Sequence, residues 1–313
     1  MGKVNQLFKD LMARFGKGAA KVDLILNRNQ FQLGDVAEGK LVIQGGAAEQ
    51  KINKIDVRLM VVIRYDETEY VHAVTSIPFY ESFTIHPGEY KEFPFQCQLP
   101  YDLMISGHYV TYFFNTELDI AGGIDQKDRD YIEILCPQSL QQVLNALNHL
   151  GFREKHDSRK FNGHVQEFAF FPTDFLQGKA EELEFVVAVQ PDGVRLLLEL
   201  DLISFGHEKE LKREVFIPNH LLESEDGLVS ELKRILEEMA EYAHTDYHHD
   251  SHYGHSYHGH SHHGHGHHSS GMAGAVGGFA AGVVGAMVVN EMLDNDDGDD
   301  DDGGLEGFFE DED

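Results

Sequence analysis

Between Lys21 and Cys136 apolar residues recur at every second position, as Val22-Leu24-Leu26, Leu41-Ile43, Ile55-Val57-Leu59-Val61-Ile63, Phe93-Phe95-Cys97-Leu99, Val110-Tyr112-Phe114-Thr116-Leu118 and Ile132-Ile134-Cys136. Such alternation puts one face of a strand in a core and the other toward water. Leu33-Gly34-Asp35, Gly45-Gly46, Pro87-Gly88 and Gly122-Gly123 supply the turns between these runs. Many short strands with no helix between them predict an antiparallel sandwich. The period then lengthens in SLQQVLNALNHLG, where Leu140, Val143, Leu144, Leu147 and Leu150 share a helical face, Ser139 is placed to cap the start and Gly151 to end it. Strands resume over Val165–Phe171, Leu183-Phe185-Val187-Val189, Val194-Leu196-Leu198-Leu200-Leu202 and Leu211–Ile217, the middle two joined by a Pro191-Asp192-Gly193 turn. This predicts a second sandwich. The fold class expected is all-β: two tandem antiparallel β-sandwiches, a few short helices and a low-complexity C-terminal tail.

Helices are expected at both flanks. Val4, Leu7, Phe8, Leu11, Met12 and Phe15 line one face before Gly16, suited to docking on the adjoining domain or to a membrane or partner surface. Near the other end Leu232, Ile235, Leu236 and Met239 share a face. The resulting division is an N-terminal helix plus sandwich at 1–137, a second sandwich at 138–227, a helix at 228–243, a histidine-rich linker at 244–270, a Gly/Ala-rich apolar segment at 271–293 and an acidic tail at 294–313.

Charge narrows the partners. The net charge is −29, with 15 of the 54 acids after residue 243 and no Lys or Arg beyond Arg234. Residues 1–243 still carry 39 acids against 25 bases, so no cationic stripe for phosphates is expected and nucleic acid is excluded as a partner. Anionic membrane surfaces are disfavoured on the same sign. Cys97 and Cys136 fall in phase with apolar neighbours and are expected as small core side chains. No secretory signal pattern opens the chain, and the expected compartment is the cytoplasm.

Phosphate-loop, dinucleotide-binding, zinc-protease, nucleophile-elbow and paired-cysteine signatures are all missing from the sequence. No catalytic residue and no required cofactor are therefore expected. Asp119, Asp125, Asp128 and Asp130 lack the glycine and closing glutamate of a calcium loop and are expected in a solvated hairpin loop. The run from His244 to Ser270 holds 12 of the 20 histidines and no aliphatic side chain. His248, His249, His252, His255, His258, His260, His262, His263, His265, His267 and His268 offer adjacent and alternate imidazoles that can hold zinc, nickel or copper labilely. Titration near neutrality and a plain spacer are the other roles open to the tract. Behind it Gly274, Gly278 and Gly282 align on one helical face, which suits self-association into a homo-oligomer more than membrane insertion, for which glycine and alanine supply little transfer energy.

Two stretches carry a family resemblance. AKVDLILNRNQFQLGDVAEGKLVIQGG reads as strand, Gly-Asp turn and strand ending in a double glycine; FTIHPGEYKEFPFQCQLP is followed by YVTYFFNTELDIAGGIDQKDRDYIEIL. Together they resemble the bacterial sporulation-control family of the stage-zero M type, over roughly residues 1–240. The resemblance implies an arrestin-like fold, a role in sporulation exercised through protein contacts, and no enzymatic activity; it carries no catalytic residue onto this chain. The function expected is a non-enzymatic regulatory scaffold for a protein partner, with metal handling by the histidine tract as the alternative.

Overall fold

The computed structural model describes residues 18–65, 68–79, 82–123, 125–204 and 207–245. The N-terminal helix expected over residues 4–15, the histidines from His248 to His268, the glycines 274, 278 and 282 and the acidic tail lie outside the described residues.

The chain is mostly strand with few helices. Its first half runs β1 Lys21–Leu26, β2 Gln30–Phe31, β3 Val36–Gln44, β4 Gln50–Tyr65, β5 Thr68–Phe79, β6 Phe83–Ile85, β7 Tyr90–Gln98, β8 Val110–Ile120 and β9 Gln126–Ile134. These strands form two sheets, β1-β3-β7 and β2-β9-β8-β4-β5, with β6 beside β4. All pairings are antiparallel except the short β2–β9 pair. The alternation that predicted β4 is the alternation that fills the core: Ile55, Val57, Leu59, Val61 and Ile63 are buried in one cluster with Tyr112, Phe114 and Leu118 of the neighbouring β8 and with Phe95 and Cys97 of β7 in the other sheet. Each such side chain contributes about 1.5–3 kcal/mol on burial. Gly45 permits the tight corner after β3, since a Cβ there would overlap the His86 carbonyl oxygen.

The second half consists of α1 Gln138–His149, β10 Phe152–Glu154, β11 Lys160–Phe161, β12 Gln166–Pro172, β13 Ala180–Gln190, β14 Gly193–Ser204, β15 His207–Pro218, α2 Asn219–Leu222 and α3 Glu225–Thr245. Its strands make a single antiparallel sheet, β10-β12-β13-β14-β15 with β11 beside β12. The strands sit where alternation predicts them, but the layer over them differs from a second sheet: Leu140, Val143, Leu144 and Leu147 of α1 and Leu228, Leu232, Ile235, Leu236 and Met239 of α3 pack on Phe168, Phe185, Leu196, Leu198 and Leu200. Two amphipathic helices present a broad enough apolar stripe to cover five strands, so no further strands are required there. α1 starts one residue before the expected cap: its N-cap is Pro137 with no side-chain cap bond, whereas Gly151 does follow its end with φ 87°.

The halves interlock. Ile105, between β7 and β8, lies in the core of the second half, and Phe161 of β11 lies in the core of the first. Fully buried Gln166 ties them: the Ile105 amide donates to its Oε1 at 2.8 Å, while its Nε2 donates to the Ile105 and Arg159 carbonyls at 3.0 and 3.1 Å. Arg159 holds the left-handed φ of 64° at this junction, its guanidinium forked on Glu154 at 2.7 and 3.1 Å. Cys97 is buried in the first core, and Cys136, half-buried, packs on the second.

Candidate interaction surface and acidic clusters

Among the described residues β5 has no strand on its outer side. It pairs with β4 along its length, from Tyr65↔Thr68 to Ile55↔Phe79, and ends the sheet order. Sequence patterning does not reveal it, because neither face is consistently buried: Tyr70 and Val71, which point to opposite faces, are 41% and 48% exposed. What the sequence does carry is an uncharged run, YVHAVTSIPF, from Tyr70 to Phe79. Sheet edges in soluble proteins are normally guarded by charge, proline or a bulge. Here the guards are few: Pro78 stands near the end and a register shift lies opposite Leu59 and Met60. The other edges differ. β7 has Lys91, Glu92 and a central Pro94, and β15 alternates Glu, Lys and Arg, with Arg213 donating to Glu238 of α3 at 2.9 Å.

Two groups of acids converge on strand faces. Asp23 of β1 meets Asp128 and Asp130 of β9 where the two sheets of the first half approach, one oxygen of each lying within 4.8 Å of the others. Asp128 Oδ2 accepts the Leu24 amide at 3.0 Å and so ties β1 to β9. Asp130 Oδ2 is buried without a donor. Burial and then the Asp128 charge push the Asp130 carboxyl up to about 8; burial and Asp128 push Asp23 up to about 6. The four aspartates expected in one solvated loop are thus divided: Asp128 and Asp130 lie on β9 facing β1, Asp125 accepts the Ile120 amide at 3.1 Å, and Asp119 accepts from Asn53 at 2.9 Å.

The second group occupies the face of the second sheet opposite the helices. Register aligns Glu182↔Asp201↔Glu210 and, one step along, Glu184↔Glu199↔Lys212. Glu199, Asp201 and Glu210 bring one oxygen each within 4.8 Å of one another. Glu199 is only 2% exposed. Lys212 Nζ stands 3.4 Å from Glu199 Oε1, while Oε2 is buried with no donor. Burial pushes the Glu199 carboxyl up to about 7, Lys212 opposing and Glu210 adding. Beside it, burial and the Glu167 charge push Glu184 up to about 9, and Lys155 engages Glu182 at 2.7 Å. In the sequence, Glu199 and Asp201 are merely the polar positions of an alternating strand.

Two of the scattered histidines take exposed contacts with carboxylates, His86 Nδ1 to Glu49 at 2.9 Å and His149 Nδ1 to Glu225 at 2.9 Å. Among the described residues no helix is long and apolar enough to cross a membrane.

Three likenesses to known proteins accompany this geometry. Residues 8–203 match the family described as SpoOM protein. The sporulation-control protein spo0M of Bacillus subtilis (strain 168) is 34% identical over 251 residues, covering 75% of this chain and 97% of the relative. The crystal structure of Spo0M, sporulation control protein, from Bacillus subtilis superposes with a TM-score of 0.59 at 31% identity, covering 71% of this chain and 99% of that chain. The family match stops short of α3 and of the histidine tract.

Proposed function

The chain belongs to the SpoOM protein family, and from that premise we propose that it is a cytoplasmic regulator of sporulation that acts without catalysis, as an interaction scaffold, with β5 as the strand that receives a partner. The observation that carries this reading is the uncharged, partly exposed Tyr70–Phe79 run of β5, which among the described residues pairs with β4 alone. Main-chain N–H and C=O groups along a free edge bind an extended segment of another protein, and exposed side chains such as Tyr70 and Val71 select it. This needs no reacting side chain, in keeping with a sequence that offers no catalytic signature. Sporulation control is the role the relative is named for, and it is carried to this chain through the family.

The experiment is complementation in a Bacillus subtilis strain lacking its own sporulation-control protein, scored by spore frequency, with the wild-type chain and Val71→Lys. Val71 is exposed, so lysine there should change stability by no more than about 0.5 kcal/mol while placing a charge on the edge. Wild type is expected to alter spore frequency and V71K to lose the effect with folding intact. A V71K chain that acts like wild type sinks the edge; a wild-type chain with no effect sinks the sporulation role.

A further inference from the structure

We infer that His108 and His156, one from each half of the chain, form a ligand pair for a borderline divalent metal ion of the zinc type, bridging the halves across their junction. Their ring centroids stand 6.1 Å apart with the ring planes at 56°. With metal–nitrogen bonds of about 2.0–2.1 Å and ring nitrogens about 1 Å from the centroid, two imidazoles on one ion stand ~5–6.5 Å apart, so the observed spacing needs little adjustment. Both side chains are exposed. Among the described residues neither imidazole nitrogen is taken by a hydrogen bond or an ion pair; the rings meet only each other and, at His108, the ring of Tyr109. A neutral imidazole in that state keeps a lone pair for a metal.

Each histidine sits in a short turn that the fold fixes. His108 lies in the connection from β7 to β8, where the Gly107 amide donates to the Val110 carbonyl at 2.9 Å and the Val110 amide to the Gly107 carbonyl at 3.3 Å. Arg64 Nη1 donates to the His108 carbonyl at 2.7 Å, and Tyr109 meets the imidazole edge-on at 4.8 Å between centroids. His156 lies between β10 and β11, in a turn closed by the Ser158 amide on the Lys155 carbonyl at 3.1 Å. Buried Ser158 fastens it, its Oγ donating to Glu154 at 3.0 Å and accepting the Ala169 amide at 3.1 Å. Backbone held on both sides sets the two ligands in place before an ion arrives. The cations of these turns are matched, Lys160 by Asp157 at 3.1 Å, Arg64 by Glu69 at 2.6 Å and Lys155 by Glu182 at 2.7 Å, so positive charge does not repel the ion. A nitrogen pair selects zinc, nickel or copper over magnesium or calcium and leaves the remaining positions to water.

The test uses the full-length chain with the tract histidines from His248 to His268 exchanged for asparagine, so that the tract does not compete for the ion. Calorimetric titration with ZnCl₂ is expected to show one zinc per chain. At zinc about tenfold above the dissociation constant, Tm is expected to rise by about 3–6 °C over an equal concentration of MgCl₂, which controls for the general effect of a divalent charge on an acidic chain. His108→Gln and His156→Gln are each expected to remove both signals while leaving Tm in magnesium unchanged, since both residues are exposed. His149→Gln is the counter-test: His149 beside Glu225 at 2.9 Å is another pair of metal-competent groups, and its variant is expected to bind zinc as the parent does. The inference is overturned if the parent shows no zinc increment, if H108Q or H156Q keeps it, or if H149Q loses it.

Discussion

Replacing Asp130 with asparagine should make the protein more stable, by an amount that grows with pH. Asp130 carries a buried Oδ2 without a donor and sits against Asp128 and Asp23. Its carboxyl is raised from 3.8 to about 8, chiefly by burial. A raised carboxyl pKa means that the folded chain holds a proton that the unfolded chain has released over the interval between the two values. Stability is therefore full below the unfolded pKa and is lost as pH rises through the folded one. Asp23, raised to about 6, acts with the same sign over a shorter interval. Between pH 5.5 and 8 the interval is about 2.5 units, equivalent to ~3.4 kcal/mol at 1.36 kcal/mol per unit. Water reaching a group that is only half-buried lowers this to about 2 kcal/mol. Asparagine keeps the shape and removes the ionisation, so D130N should already exceed wild type at pH 5.5, and its margin should grow by about a further 2 kcal/mol by pH 8. Urea titrations at half-unit steps, followed by tyrosine fluorescence, measure the difference; starting at pH 5.5 keeps the protein above its pI of about 4.9, where net charge maintains solubility. Parallel wild-type and D130N curves across the range would refute the reasoning.

Gln166→Ala should cost about 3 kcal/mol, because it strands the buried Ile105 amide and carbonyl and the part-buried Arg159 carbonyl at the junction of the halves; urea unfolding that moves by less than 1 kcal/mol would show that water or repacking replaces the amide. Exchanging His248, His249, His252, His255, His258, His260, His262, His263, His265, His267 and His268 for asparagine should lower the zinc retained after dialysis to that of a chain cut before the tract, as measured by elemental analysis; unchanged zinc would place the metal elsewhere.

What could be read from the sequence followed burial. β4 and β8 announce themselves because one face of each is sealed, from Ile55 to Ile63 and from Val110 to Leu118. β5 does not, since its side chains are exposed or half-buried on both faces and its place is set by the hairpin from β4. Leu196, Leu198 and Leu200 mark β14 equally well, yet their period says only that something apolar lies over them; that it is α1 and α3 depends on where two amphipathic helices dock. The acid groups were hidden for a related reason. Glu199 and Asp201 occupy the outward phase of a strand, which usually means water, and only the pairing of β14 with β15 brings Glu210 beside them. Gln166 carries no pattern at all, its role arising from contact with Ile105, 61 residues earlier.

The exchange of Ile105 and Phe161 between cores has a mechanical consequence. Two sandwiched halves joined by a bare linker would rotate freely, and a partner strand added at β5 would then leave the second half indifferent. Here a side chain from each half is embedded in the other, and Gln166 closes the junction with three hydrogen bonds. Separating the halves exposes two large apolar side chains at about 1.5–3 kcal/mol each and breaks that clamp, more than one edge strand of main-chain bonds supplies at ~1 kcal/mol net apiece unless several form together. A partner at β5 therefore meets a single stiff platform. The same stiffness makes Gln166→Ala informative beyond stability: if regulation requires both halves to act together, the variant should lose activity in the complementation assay at temperatures where it remains folded.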